Sequence, residues 1–241
     1  MKKNVVITGG AGSIGSAIAR KFAEQGYRLI VCYFRSKDAA CALSSELSDI
    51  TDAVPVCCNL ADPRSVKDAA KVIESLGGAD ILINNAGETE IKVYCDFSDE
   101  EISKILDINL KGAMLFTKAL LPSMLSKKWG RIINIGSMWG TMGASCEVPY
   151  SAAKAGLIGF TKALAKEVGP SGITVNCVSP GLIDTPMNEG IDPDSLKAIK
   201  DETPLCRAGS PGEVAEVVRF IASEAASFVT GQNIGVDGGL T

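Results

Sequence analysis

Tyr150 and Lys154 are the two residues whose types and spacing suggest chemistry most directly. They stand four positions apart, so on a helix both side chains lie on one face, about one turn apart. A lysine ammonium beside a phenol favours the phenolate and lowers the tyrosine pKa from its ordinary value of about 10. The pair therefore predicts a side chain that donates or accepts a proton near neutral pH.

A serine precedes this pair in the sequence. Ser137 follows the apolar run Ile132–Ile135, which predicts a buried strand. A hydroxyl at the carboxyl end of that strand can hydrogen-bond a substrate carbonyl while Tyr150 delivers the proton. Because the same spacing also occurs in surface ion pairs and packing pairs, the interpretation depends on the rest of the chain.

Glycines follow the first predicted strand, Asn4–Thr8, and lead into a segment with helical spacing. At such a turn, backbone N–H groups can approach a pyrophosphate at the helix N-terminus. The pattern Gly10-x-Gly12-x-x-Gly15 fits a dinucleotide-binding turn. A tight turn that binds no ligand is the alternative.

The end of the second predicted strand, Leu29–Tyr33, bears on which dinucleotide binds. An acidic residue there would bind the adenosine ribose hydroxyls, but the chain has none at that position. Arg35, Ser36 and Lys37 offer cationic and hydroxyl donors that suit a 2′-phosphate. The sequence therefore favours NADP(H) over NAD(H), and an ordinary solvated loop is the alternative.

Composition limits the classes of function. The net charge of −4 and pI of about 5.1 argue against nucleic acid and anionic membranes as partners. No apolar run is long enough for a membrane span or a secretory segment, so we expect a cytoplasmic protein. The chain has no histidine and its eight cysteines form no Cys-x-x-Cys, which argues against a metal site.

Predicted strands alternate with predicted helices along all 241 residues. This order predicts one α/β domain, residues 1–241, whose mostly parallel sheet is covered on both faces. Helix starts are predicted at Asp62-Pro63 and at two capping boxes that begin with Ser98 and Ser210. Residues from about 187 to 207 are polar, and we expect them to form an irregular, mobile lid.

In order and spacing, these motifs resemble the short-chain dehydrogenase/reductase family over essentially the full length. The matching segments are Thr8-Gly9 with the glycine turn, Asn84-Asn85-Ala86-Gly87, Asn109, Ser137, Tyr150 with Lys154, Pro180-Gly181 with Thr185, and Asp237-Gly238-Gly239. The resemblance implies a Rossmann-like, doubly wound sheet of seven strands and usually a homotetramer. It also implies a catalytic tetrad of Asn109, Ser137, Tyr150 and Lys154.

The resemblance and the motifs together predict the cofactor contacts. The predicted residues are Gly9, Gly12, Ser13, Ile14, Gly15, Tyr33, Arg35, Ser36, Asn59, Leu60, Asn85, Ala86, Gly87, Tyr150, Lys154, Pro180, Gly181, Ile183 and Thr185. Two positions depart from the common family pattern. Ser13 replaces a glycine, for which the freedom of Gly12 would compensate, and Asn59 replaces an aspartate that approaches the adenine.

The mechanism that the resemblance implies is hydride transfer from the nicotinamide to a carbonyl carbon. Tyr150 would protonate the developing alkoxide, and Lys154 would lower the pKa of Tyr150 and hold the nicotinamide ribose. Ser137 would polarise the carbonyl oxygen, and Asn109 would anchor a water in the proton relay.

Within the family, the chain looks most like bacterial 3-oxoacyl-acyl-carrier-protein reductases, through segments such as Tyr150–Phe160 and Gly172–Asn176. Lys127, Lys128 and Arg131 would then offer a basic patch to an acidic carrier protein, unless they are ordinary solvated charges.

Two alternatives to this function remain open. Residues Trp139 to Val148 resemble a reductase subgroup that acts on an aminopentanone modification of translation elongation factor P. Glu147 would then pair with a substrate amine, and the acidic lid would suit a cationic substrate. The second alternative is a non-catalytic NADP-binding scaffold or sensor, although such a protein would not need the Tyr150–Lys154 pair.

Overall fold

The computed structural model describes residues 2–241, and the strands in that range form one parallel sheet. They are β1 (Asn4–Thr8), β2 (Arg28–Tyr33), β3 (Ala53–Cys57), β4 (Ile81–Asn84), β5 (Gly130–Ile135), β6 (Ile173–Pro180) and β7 (Asn233–Val236). Their order across the sheet is β3-β2-β1-β4-β5-β6-β7. The predicted seven-stranded, doubly wound α/β fold is confirmed.

Helices connect these strands and cover the sheet. They are α1 (Ser13–Ala23), α2 (Lys37–Ser48), α3 (Pro63–Ser75), α4 (Asp99–Leu106), α5 (Gly112–Lys127), α6 (Trp139–Met142), α7 (Val148–Val168), α8 (Pro193–Glu202) and α9 (Pro211–Ala222). A π-helical segment, Asp107–Lys111, joins α4 to α5. In residues 2–241, no helix is both long enough and apolar enough to cross a bilayer.

The strand order reverses beside β1. This strand pairs with β2 on one side and with β4 on the other, so the connection after β1 and the connection after β4 lead to opposite sides of the sheet. In open parallel sheets, such a reversal opens a crevice outside the carboxyl ends of the strands, where ligands bind.

Side chains of the central strands alternate between two apolar layers. Val5 and Ile7 pack in the layer of α1, α2 and α9, whereas Val6 packs in the layer of α3, α5 and α7. All five residues of β1 are buried. The continuous apolar runs that predicted buried strands thus reflect a sheet that is covered on both faces.

Local signals located several helix starts correctly. The Asp62 carboxylate accepts a hydrogen bond from the Arg64 N–H at the start of α3. Ser98 and Ser210 both form the predicted capping boxes. Each side chain satisfies backbone donors that the first helical turn leaves free.

Residues 187–207 are more regular than expected. The sequence predicted an irregular segment, but α8 lies within it. Asp192 accepts hydrogen bonds from the N–H groups of Asp194 and Ser195, and Pro193 occupies the first helical position. Asp192 and Pro193 are ordinary signals for the start of a helix. The high polarity of the segment led to the prediction of an irregular structure instead. Mobility of the lid stays a prediction.

Buried amides tie two helices to the centre of the sheet. Asn84 and Asn134 are register partners in β4 and β5, and Asn84 Nδ2 donates to Asn134 Oδ1 at 2.8 Å. Asn84 also donates to Thr117 of α5 at 2.9 Å, and Asn134 donates to Thr161 of α7 at 2.8 Å. The side chains that bond across elements therefore set how α5 and α7 lie on the sheet.

The structure removes Arg131 from the predicted basic patch of Lys127, Lys128 and Arg131. Arg131 is 3% exposed, lies 4.5 Å from the Trp129 ring centroid and pairs with Glu224 at 3.2 Å. Lys127 pairs with Asp80 at 2.8 Å. These residues lie near the amino end of β5, whereas the catalytic candidates follow its carboxyl end. A carrier protein bound there would face away from the candidate site.

We predict that Glu224→Ala lowers the free energy of unfolding by about 1–2 kcal/mol. The buried Arg131 guanidinium loses its charged acceptor, but the Glu224 side chain is 68% exposed, so solvent screens part of the interaction. The matched control is Glu46→Ala, which breaks the pair with Arg20, whose side chain is 47% exposed. That variant should cost at most about 1 kcal/mol. Urea denaturation measures both values, and equal losses would contradict this account of Arg131.

Candidate active site

A cavity of about 770 Å³ runs along the carboxyl edge of the sheet. It extends from the glycine turn after β1 to the first turns of α7. Except for Asn109, every predicted catalytic, cofactor and substrate residue lines it. Residues that are far apart in the sequence thus share one wall because parallel strands end at one edge of a sheet.

A side chain at Gly9 or Gly15, in the turn after β1, would strain the structure. Gly9 has φ of +60°, in the left-handed region that favours glycine. A Cβ atom on Gly15 would collide with the Gly9 carbonyl oxygen. Gly12, by contrast, has φ of −73°, so the expectation that Gly12 supplies conformational freedom in place of a glycine at position 13 is wrong. Ser13 is simply the first residue of α1.

The N-terminus of α1 suits an anion. The first-turn N–H groups of a helix have no partner within the helix, and the helix dipole adds positive potential there. The first turn of α1 carries no acidic residue. Together with the closely approaching backbone at Gly9 and Gly15, these features fit a pyrophosphate.

Hydrogen bonds between β1 and β4 hold this turn in place. Asn85 Nδ2 donates to the carbonyl oxygens of Thr8 and Gly9, both at 3.0 Å. Thr8 Oγ1 in turn accepts from the N–H groups of Asn85 and Ala86. The motif around Asn85 therefore joins the ends of two neighbouring strands into one rigid wall.

The residues predicted to read the adenosine lie at the far end of the cavity. The Arg35 side chain is 71% exposed, and its guanidinium lies 3.9 Å from the Glu88 carboxylate. Asn59 Oδ1 accepts from the Ala61 N–H at 3.1 Å in a local turn. An exposed cation and an amide nitrogen at this end fit a phosphate and an adenine.

Tyr150 and Lys154 meet at the other end, where α7 passes the end of β5. Lys154 is 3% exposed, and its Nζ donates to the Ile135 carbonyl oxygen at 2.8 Å. Burial lowers the pKa of Lys154 to about 8. This value leaves the ammonium mostly protonated at neutral pH.

The expected lowering of the Tyr150 pKa is wrong in this structure. Burial raises the pKa of Tyr150 to about 12, although a hydrogen bond with Ser137 opposes the shift. The Lys154 Nζ atom lies 5.5 Å from the Tyr150 ring centroid and donates to the Ile135 carbonyl. Tyr150 is therefore protonated at neutral pH, which is the state that a proton donor requires.

Asn109 lies behind the wall of the cavity, in the π-helical segment. Its Nδ2 donates to the carbonyl oxygens of Glu88 and Ile105 at 2.8 and 2.9 Å. Its Oδ1 is buried and has no partner in residues 2–241. A Cβ atom on Gly87 would lie near both this oxygen and Lys154 Nζ. An unused acceptor beside the ammonium suits a small polar bridge such as water.

The sequence did not identify most of the apolar substrate end. Besides the predicted Trp139 and Glu147, the wall there includes several apolar side chains. They are Ile91, Met138, Leu182, Met187, Ile191 and Ile199. Ile191 and Ile199 lie in the segment that was predicted only as a polar lid. The spacing of the few apolar residues in that segment could have indicated a helix with one apolar face.

Comparison with known proteins gives matches over nearly the whole chain. Residues 9–241 match the family model described as "Enoyl-(Acyl carrier protein) reductase". The chain is 40% identical to 3-oxoacyl-[acyl-carrier-protein] reductase FabG of Vibrio cholerae, over 99% of this chain and 97% of that protein. It is 42% identical to FabG of Aquifex aeolicus, over 98% and 96%.

A solved structure shares both the fold and the sequence. The crystal structure of 3-oxoacyl-[acyl-carrier protein] reductase from Brucella melitensis superposes with a TM-score of 0.92 and is 35% identical. The match covers 99% of this chain and 91% of that chain.

The fold and the cavity, with these matches, define an NAD(P)-dependent oxidoreductase that acts on a ketone. The chain belongs to the short-chain dehydrogenase/reductase family. The predicted family and enzyme class are confirmed, and the non-catalytic scaffold finds no support.

We predict that Gly15→Ala destabilises the protein by about 1–3 kcal/mol, because its Cβ overpacks the turn against Gly9, and weakens dinucleotide binding. The control is Gly12→Ala, since a Cβ there would lie 3.4 Å from the Gly9 oxygen, an ordinary contact. Thermal unfolding and titration with the dinucleotide measure both effects. The loop geometry would be wrong if Gly12→Ala were the more harmful substitution.

Proposed function

We propose that this protein reduces 3-oxoacyl thioesters carried on acyl carrier protein, with NADPH as the reductant. The main support is the identity of about 40% to proteins of that name over nearly the full length of both chains. The apolar substrate end of the cavity suits an acyl chain. The product would be a 3-hydroxyacyl thioester.

The cofactor would lie along the cavity from Arg35 to Tyr150. Gly9 and Gly15 would bring the backbone to the pyrophosphate, and the first turn of α1 would stabilise its charge. When bound, NADPH supplies the hydride for the carbonyl carbon. Pro180, Gly181, Ile183 and Thr185, at the end of β6, would contact its nicotinamide half.

Tyr150 would give its proton to the carbonyl oxygen of the substrate. The hydroxyl of Ser137 interacts with the Tyr150 phenol and accepts from the Trp139 N–H at 3.2 Å. This second contact holds the serine oxygen at the cavity wall, and its hydrogen would turn from the Tyr150 oxygen to the carbonyl oxygen when a substrate binds. Ser137 would thus polarise the carbonyl while Tyr150 protonates it.

Lys154 and Asn109 would replace the proton that Tyr150 loses. The buried ammonium favours the tyrosinate that forms during the reaction. A water held by the unused Asn109 Oδ1 would carry a proton toward this site. Burial of all these groups strengthens each interaction, because the local dielectric is low.

The other candidate functions receive less support. The description of the matching family model names enoyl reduction, but the full-length relatives reported above carry the 3-oxoacyl name. The comparisons do not support reduction of a modified elongation factor P. The homotetramer and the cytoplasmic location stay predictions.

Wild-type protein should oxidise NADPH with acetoacetyl-carrier protein and much less with crotonyl-carrier protein. Tyr150→Phe, which removes only the hydroxyl, should lower kcat by about 10²–10⁴-fold. Its affinity for NADPH should stay near that of the wild type, as measured by fluorescence titration. A variant with near-normal kcat would overturn the assignment of Tyr150, and crotonyl reduction alone would overturn the proposed reaction.

Cofactor selectivity depends on Arg35 in this proposal. Arg35→Ala should weaken NADPH binding by about 1.5–3 kcal/mol, the usual value for a hydrogen bond to a charged group, and should hardly affect NADH. Arg64→Ala, at the start of α3 and outside the cavity, is the control. Dissociation constants that change equally for both cofactors would show that Arg35 does not bind the 2′-phosphate.

A further inference from the structure

Glu147 is a buried carboxylate in the wall of the substrate end. Glu147 is 9% exposed, and it lines the cavity together with Tyr150. Glu147 occupies the N-cap position of α7, but its side chain makes no capping hydrogen bond. The carboxylate therefore neither points into bulk solvent nor serves the start of the helix.

The loop before α7 holds Glu147 in this position. Cys146 has φ of +64°, which is uncommon for a residue with a side chain. Its carbonyl oxygen accepts from the Lys92 N–H at 2.9 Å, and the Ala144 N–H donates to Ser151 Oγ at 3.1 Å. These contacts fix the backbone on both sides of the turn that directs Glu147 inward.

The Glu147 carboxylate has no cationic partner among residues 2–241. Its only hydrogen bond within 3.5 Å there comes from Thr89 Oγ1, at 2.7 Å. The lysines of the neighbouring segments, Lys92 and Lys104, pair with other carboxylates. Glu88, the other acid that lines the cavity, already pairs with Lys104 and Arg35.

A buried carboxylate without a counter-charge is costly. Burial raises the pKa of Glu147, and the Thr89 hydroxyl and Trp139 indole oppose this shift. A cation entering the cavity would lower that pKa again and repay part of the desolvation cost. The wall at Glu147 thus complements a positively charged group.

We infer that Glu147 determines specificity by pairing with an ammonium group on the substrate, so that the site also reduces amino ketones. This inference rests on the proposed ketone reduction. The hydride of NADPH would form the new C–H bond as the carbonyl π bond breaks, and the Tyr150 proton would form the O–H bond. The products would be an amino alcohol and NADP⁺, with the ammonium group unchanged.

Two ketones of the same shape test this assignment. 4-(Dimethylamino)butan-2-one is protonated at neutral pH and, as a tertiary amine, cannot cyclise to an imine, whereas 5-methylhexan-2-one is its neutral counterpart. Wild-type protein should favour the charged ketone by about tenfold or more in kcat/KM. Glu147→Gln should lower kcat/KM for the charged ketone by about 10–100-fold and change that for the neutral ketone by less than about twofold.

Glu90→Gln is the matched control, because Glu90 lies nearby in the chain but pairs with Lys92. It should leave both specificity constants unchanged. Equal losses on both ketones with Glu147→Gln would overturn the inference, since Glu147 would then act through Tyr150 or through folding. If the variant does not fold, the wild-type preference decides, and a wild-type preference for the neutral ketone would overturn the inference.

Reduction of acetoacetyl-carrier protein by the wild type separates this inference from the proposed function. Activity on that thioester without a preference for the charged ketone would refute the role of Glu147 alone. Activity on the charged ketone without any on the thioester would support Glu147 and refute the proposed physiological substrate.

Discussion

The hydrogen bond between Lys154 and the Ile135 carbonyl is the interaction on which the site depends. It holds a nearly fully buried ammonium at the end of β5. Burying an unpaired ammonium would cost several kcal/mol, so Lys154 must keep this acceptor. Because Ile135 ends a central strand and Lys154 lies on α7, the bond fixes the distance between sheet and helix where Ser137 and Tyr150 meet.

The buried polar groups around this bond also fix helices against the sheet. Asn134 is the residue before Ile135, and it donates to Thr161, which lies two helical turns after Lys154 in α7. Asn84, in the neighbouring strand, reaches α5 through Thr117. Directional bonds inside an apolar layer allow few alternative arrangements. The sheet therefore positions the two helical segments that carry Asn109 and Tyr150.

The cavity has two chemically different ends. The glycine turn and α1 present backbone N–H groups and a helix dipole, and both suit the charge of a diphosphate. The proposed substrate end is apolar apart from a few polar side chains. Among them, Glu147 is a buried acid that has no cationic partner in residues 2–241. In the proposed function, the first end binds the dinucleotide and the second end selects the ketone.

The sequence by itself determined one α/β domain with a mostly parallel sheet, the glycine turn, and the helix starts at Asp62, Ser98 and Ser210, whereas the seven strands and the catalytic tetrad followed from the family resemblance. The first three features follow from local periodicity and backbone sterics. Only the tertiary structure decided that Arg131 is buried, that burial raises the Tyr150 pKa, and that Glu147 lines the cavity with no counter-charge from the described residues 2–241. Burial and charge pairing depend on residues distant in the sequence, such as Glu224 for Arg131 and Thr89 for Glu147, and no local pattern encodes them.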